Sequence, residues 1–224
     1  MDFLRSIAER IERDDELRDV LYSLILFGSY IRGDFVDDVS DLDFFAVLKE
    51  GDPESVIPRL RVLLEECTEN IASIMVDLAW EYIVNLDDPL NKGYPFKFLT
   101  FYQEDFLENH VVVYGCRIDG ILPRYNWRDL VAWRARRLLK NVDRDGGNAA
   151  MLRVGAGEAI RLKALMGGAR SIRKDEILRV LRTLQDDESL EVFMAYLEGE
   201  ELNWSEEDLV SFTRTRLGEI IGVD

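Results

Sequence analysis

An apolar run at 22–27 (YSLILF) stops at Gly28-Ser29, and a second run at 41–48 (DLDFFAVL) opens on two aspartates one residue apart. Short apolar runs bounded by turn residues read as buried strands. A glycine at the end of such a strand lets the backbone approach a ligand closely. The amides that follow it, with the serine hydroxyl, make an anion site. Alternate residues of a strand share a face, so the carboxylates of Asp41 and Asp43 are expected to project together. Two carboxylates beside a phosphate site suit magnesium, which takes few protein oxygens and completes its shell with phosphate oxygens and water. A third carboxylate, Asp77, lies in the run 71–80 (IASIMVDLAW), on the same expected strand face as Ser73 and Met75. An isolated charge buried there is costly, and a cation shared with Asp41 and Asp43 relieves it. Three such aspartates can hold two metal ions about 3.5–4 Å apart, one for an attacking oxygen and one for a triphosphate.

The rest of the chain sets this segment in an α+β frame. Residues 2–21 carry Phe3, Leu4, Ile7, Ala8 and Ile11 at helical spacing and predict one amphipathic helix. Pro53 starts a helix to about Cys67, and 85–94 (NLDDPLNKGY) is loop chemistry. Residues 111–114 offer one more strand. From Trp127 onward the period is helical, with helices expected at 127–142, 149–167, 173–185, 188–199 and 205–221. The expectation is a small mixed sheet in a domain over 1–120, followed by an all-α bundle over 121–224.

Charge narrows the partners. The net charge is −16, which disfavours non-specific binding to a nucleic-acid backbone. It is uneven: residues 126–174 hold 12 basic and 4 acidic side chains, while 1–125 hold 12 basic and 26 acidic. With one histidine, His110, a histidine-rich zinc site is excluded. Cys67 and Cys116 are too few for a disulfide scaffold and lack metal-ligand spacing. The charged opening 1–19 is expected to be neither signal peptide nor anchor, and no run reaches the roughly 18 apolar residues of a membrane helix. A soluble cytoplasmic protein, without a membrane partner, is expected.

Gly28, Ser29, Asp41, Asp43 and Asp77, in that order and spacing, resemble the signature of the nucleotidyltransferase superfamily that includes DNA polymerase beta and the minimal and aminoglycoside-type nucleotidyltransferases. Arg32, Gly33 and Ser40 bring the segment nearest to the last two branches, although Ile31 stands where they often have a small residue. The resemblance covers about residues 20–80; the C-terminal half is similar to the kanamycin nucleotidyltransferase-type bundle in architecture alone. It implies transfer of a nucleoside monophosphate, AMP from ATP by expectation, to a hydroxyl acceptor with release of pyrophosphate. Asp41, Asp43 and Asp77 then carry catalysis and two Mg2+ ions. Gly28, Ser29, Arg32 and Ser40 bind the nucleotide, and the helical domain walls the acceptor pocket. The acceptor is a small molecule or a protein hydroxyl; nucleic acid is the least favoured, and a homodimer is compatible. The rival reading is an inactive nucleotide-binding or toxin–antitoxin-type protein that keeps the fold, against which the intact aspartates argue.

Several residues admit two readings. Arg32 binds phosphate or ties down its loop through Asp34, Asp37 or Asp38, and Ser40 suits a turn or cap better than a reactant. Arg136, Lys140 and Arg144 recur on one face of helix 127–142, either towards nucleotide phosphates or as a solvated face paired with acidic helices. Glu158 and Glu104 fit surface charges better than general bases. His110 fits a packed or turn residue.

Overall fold

The computed structural model describes residues 2–37, 40–69, 75–144, 149–198 and 204–222. Its first elements are α1 (Asp2–Glu12), α2 (Asp15–Val20), β1 (Leu21–Phe27), α3 (Ser29–Arg32) and β2 (Leu42–Leu48). The expected single helix over 2–21 is thus two. Asp14 breaks it: the Asp14 side chain accepts a hydrogen bond from the Leu17 amide at 3.2 Å and starts α2 as its N-cap. Then come α4 (Pro53–Thr68), β3 (Val76–Tyr82), α5 (Gln103–Glu108) and β4 (His110–Gly115). The third strand begins at Val76, later than its apolar run, and Ser73 lies outside the described residues. The expected strand at 111–114 is present as β4.

The four strands form a mixed sheet in the order β3-β2-β1-β4. β1 runs antiparallel to β2 and β4, and β2 runs parallel to β3. Period-two alternation sends the two faces of β1 and β2 into different cores. One face buries Leu24, Leu26, Leu42, Phe44, Ala46 and Leu48 against α1 and α4, which contribute Ile7, Ile11, Val56, Leu60 and Leu64. The other face buries Ile25, Phe45 and Val47 under Phe106 of α5 and irregular chain that supplies Leu86, Phe98, Leu99, Ile118 and Leu122. Among the described residues of this part of the chain, no helix longer than α5 packs on this second face, and Asp77 on it is exposed. Asp41, Asp43 and Asp77 lie at one end of this face.

The chain divides into two compact units, Met1–Tyr125 and Asn126–Asp224. In the second, α6 (Trp127–Arg144), α7 (Ala149–Met166), α8 (Lys174–Leu184), α9 (Asp187–Glu198) and α10 (Glu206–Ile221) follow the predicted helices within a residue or two. α10 opens on a capping box between Ser205 and Asp208. α6 buries Val131, Ala135, Leu138 and Val142 and leaves Arg136, Lys140 and Arg144 exposed. Glu158 departs from expectation. It is buried on α7, with its Oε1 2.5 Å from Nε of the buried Arg134, because the small residues Gly155, Ala156, Gly157 and Ala159 around it draw that part of α7 into the bundle. Among the described residues no helix is long and apolar enough to cross a membrane.

Candidate active site

Register brings the aspartates together. Asp43 pairs with Phe27 of β1 on one side and with Asp77 of β3 on the other. Cross-strand partners share a face, so the carboxylates of Asp43 and Asp77 project side by side. Asp41 lies two residues before Asp43, just outside β2, where the Leu42 amide donates to the Met75 carbonyl at 3.0 Å and ties the starts of the two strands. All three sit at one end of the open sheet face, where β1 ends and β2 and β3 begin.

Gly28 makes this packing possible. Its φ is +79°, a conformation L side chains rarely adopt, and a Cβ built on it would stand 2.1 Å from Oδ2 of Asp43. The Asp43 carboxylate therefore lies directly against the Gly28 backbone, and the glycine before Ser29 is explained by a carboxylate as well as by a turn. Gly28→Ala is expected to push the Asp43 carboxylate aside and strain the backbone, costing about 1–3 kcal/mol. Thermal unfolding with a parallel transfer assay measures both effects, and an alanine variant with wild-type melting and turnover would contradict this packing.

Burial and neighbouring charge raise the proton affinity of Asp43 and Asp41. Burial, then the neighbouring Asp77, pushes Asp43 up to about 7, with Asp41 adding to the rise and Lys97 and Arg32 opposing it. Asp41 is raised by burial and by Asp77. Asp77 itself is exposed, which corrects the expectation that its charge is buried. The reason is topological: β3 is an edge strand, its Val76 and Leu78 pack on the helix-covered side, and Asp77 faces the open side. The costly buried charge is Asp43. Among the described residues no three ligating side chains are gathered into a ready-made metal cage. The donor chemistry fits magnesium nonetheless. Hard carboxylate oxygens stand at adjacent register positions, and burial, then the Asp77 charge, lifts one of them to about 7, an arrangement whose charge a divalent cation would offset.

The loop residues have other partners. Arg32 donates from Nε to Asp34 at 3.1 Å and from an Nη to Asp105 of α5 at 2.7 Å, both pairs largely buried. Its pairing with Asp34 agrees with the loop-tying reading. Burial raises Asp105, which Arg32 holds back. The Ser40 hydroxyl accepts from the Val36 amide at 3.0 Å, and the Ser40 amide donates to the Val36 carbonyl at 2.9 Å, which closes the spacer as a turn. Ser29 is buried at the start of α3, directly after Gly28. His110 is packed: its ring stacks on Phe106 at 5.2 Å, and its Nδ1 lies 3.0 Å from the Phe106 carbonyl. Glu104 is exposed on α5.

Three contributors gave no local signal in the sequence. Asp105 pairs with an arginine 73 residues away. Glu81 is buried and accepts hydrogen bonds from the Tyr82 amide at 2.8 Å, Asn85 Nδ2 at 2.7 Å and the Tyr94 amide at 2.7 Å, which pins both ends of the loop after β3. Lys97, three residues after Tyr94, acts on Asp43 by its charge.

Comparison with known proteins gives a family and a fold. Residues 4–114 match the family described as nucleotidyltransferase domain. Among curated proteins no match is found. Among solved structures, the chain is similar to spectinomycin adenyltransferase AAD(9) from Enterococcus faecialis, determined with ATP and spectinomycin. The TM-score is 0.59 and the identity 16%, over 96% of this chain and 98% of that one. At that identity the likeness is one of fold.

Proposed function

The chain belongs to the nucleotidyltransferase family through residues 4–114, and we propose that it moves AMP from ATP to a hydroxyl group of a small molecule, with release of pyrophosphate. The observation that carries this reading is the register of Asp43 with Asp77, with the Asp43 carboxylate seated against Gly28. The Gly28 backbone and the Ser29 hydroxyl hold the phosphate chain at the end of β1. Arg32 and Ser40 fix the spacer that joins this cradle to Asp41 and Asp43. Magnesium held by Asp41, Asp43 and Asp77 supplies neutralisation of the phosphate charge and activation of the acceptor oxygen. The acceptor hydroxyl gives its proton to solvent as its oxygen attacks the α-phosphorus in line, and the bond to pyrophosphate breaks. Positioning and charge stabilisation account for the acceleration.

Charge supports a small cationic acceptor. The N-terminal unit carries an excess of acidic side chains, which attracts a cation and repels a nucleic-acid backbone. The similar adenyltransferase was determined with spectinomycin, a small-molecule acceptor. The deciding experiment incubates the protein with each labelled nucleoside triphosphate and magnesium, alone, with a panel of aminoglycosides and aminocyclitols, and with cell extract. Label on a small molecule, with stoichiometric pyrophosphate, is the expected result. Label on protein alone would move the acceptor to a protein hydroxyl, and tight nucleotide binding without any product would favour an inactive descendant of the fold.

A further inference from the structure

Resting on that reading, we infer that Lys97 is a phosphate-contacting residue of this site, supplying its ammonium to the triphosphate beside Asp43. The loop after β3 is held at its Tyr94 end. The Tyr94 amide is bonded to the buried Glu81, and Gly93 lies so close to the same carboxylate that a Cβ there would stand 2.0 Å from its Oε2. From that anchor the chain crosses the open face of the sheet on two aromatic rings. The Phe96 ring lies 5.9 Å from that of Phe45, and the Phe98 ring lies 5.0 Å from Phe45 and 4.4 Å from Phe27. Phe27 and Phe45 are the immediate neighbours of Asp43 on that face, one across the ladder and one two residues along β2. The Lys97 carbonyl accepts from the Tyr102 amide at 2.7 Å, which fixes the backbone between the rings. Lys97 is therefore exposed on a stretch pinned at both sides, one residue before the Phe98 ring that packs on both neighbours of Asp43.

Charge gives this placement a purpose. Asp41, Asp43 and Asp77 bring three negative charges to a place that must receive a triphosphate. Two cations act on Asp43, Lys97 and more weakly Arg32. Arg32 is committed to Asp34 and Asp105, two carboxylates for one guanidinium. Lys97 is exposed, so its ammonium is accessible to a phosphate. A lysine there acts as a point charge on a flexible stem, suited to a pyrophosphate group that gains charge as it leaves.

The test compares wild type, Lys97→Gln and Lys97→Arg in titrations with Mg-ATP, AMP and adenosine, alongside kcat and KM for ATP. A lost charge-assisted contact weakens Mg-ATP binding about tenfold or more. Adenosine binding and the melting temperature should be unchanged, and Lys97→Arg should recover part of the loss. Because Lys97 is exposed, Lys97→Gln is expected to fold normally. Wild-type Mg-ATP affinity and kcat in Lys97→Gln would overturn the assignment while leaving the nucleotidyltransferase reading intact. Equal weakening of ATP and adenosine would also overturn it, by making the residue a support of the loop. Failure of the wild-type protein to bind any nucleotide would overturn both readings.

Discussion

Replacing Asp43 by Asn is expected to abolish nucleotidyl transfer while making the metal-free protein more stable. The two effects share one cause. Asp43 lies between Phe27 and Asp77, against Gly28, with its carboxyl pushed up to about 7 by burial and then by Asp77. An amide of the same shape keeps the packing and removes the repulsion, so the melting temperature in EDTA should rise. It also removes a charged oxygen from the place where phosphate charge is stabilised, and loss of one such interaction lowers kcat by about 10²–10³. Asp77→Asn separates the two effects. Asp77 is exposed, so its loss relieves the repulsion on Asp43 without relieving a buried charge of its own; it should raise melting in EDTA less than Asp43→Asn does, leave Mg-ATP affinity within a few-fold and still lower kcat severely, the pattern of an interaction made mainly in the transition state. Near-wild-type turnover of Asp43→Asn would remove the carboxylate from the chemistry. Full loss of nucleotide binding in Asp77→Asn would place Asp77 on the triphosphate instead of the acceptor side.

The contrast between these aspartates shows what a sequence can and cannot convey. Gly28-Ser29 and Asp41-x-Asp43 were legible because a strand stop and a strand start are local events, and the spacing of two carboxylates on a strand is fixed by its period. The helices from Trp127 onward were legible for the same reason, each having its own apolar stripe. Which aspartate bears the cost of burial was not legible, because it depends on strand order. β2 is central and β3 is an edge, so the charge inside the more apolar run is the one in solvent. Glu158 was misread for a related reason. Only packing of α7 against its neighbours reveals that its glycines and alanines open a buried slot, with Arg134 as its ion partner. Arg32 illustrates an intermediate case. Its local partner Asp34 was foreseen, whereas Asp105 is supplied by an element 73 residues on.

The loop from Ile83 to Tyr102 carried the least sequence signal and has the clearest structural role. It has no sustained period, because it covers the sheet with rings spaced irregularly and not with a helix face. Its order comes instead from particular contacts: Glu81 with three nitrogen donors at its start, and Phe96 and Phe98 on Phe45 across its middle. A buried carboxylate that accepts three such bonds is satisfied. Glu81 is thereby set apart from Asp77, although both stand on the same face of β3.

The pH dependence of stability is the sharpest test of the electrostatics of this site. The folded protein holds the Asp43 carboxyl at about 7, whereas in the unfolded chain it titrates near an ordinary aspartate value, about 3.9. Below that value the group is protonated in both states and its contribution to stability is fully present. As pH rises from about 4 to about 7, the unfolded chain releases this proton while the folded one retains it, so folding becomes progressively less favourable. Each pH unit in that window costs up to about 1.4 kcal/mol, so the whole loss is at most about 4 kcal/mol. Chemical denaturation in EDTA between pH 4 and 8 should show the decline in wild type and a flatter profile in Asp43→Asn. The comparison isolates Asp43 from groups that shift the other way, such as Glu176, which Arg179 holds down at about 2. Magnesium competes with the proton for the same oxygens, so it should stabilise wild type more at pH 8 than at pH 5.5 and Asp43→Asn little at either. Parallel wild-type and Asp43→Asn profiles would mean that the Asp43 carboxylate is already compensated in the resting protein, and that cation binding is not needed to hold its charge.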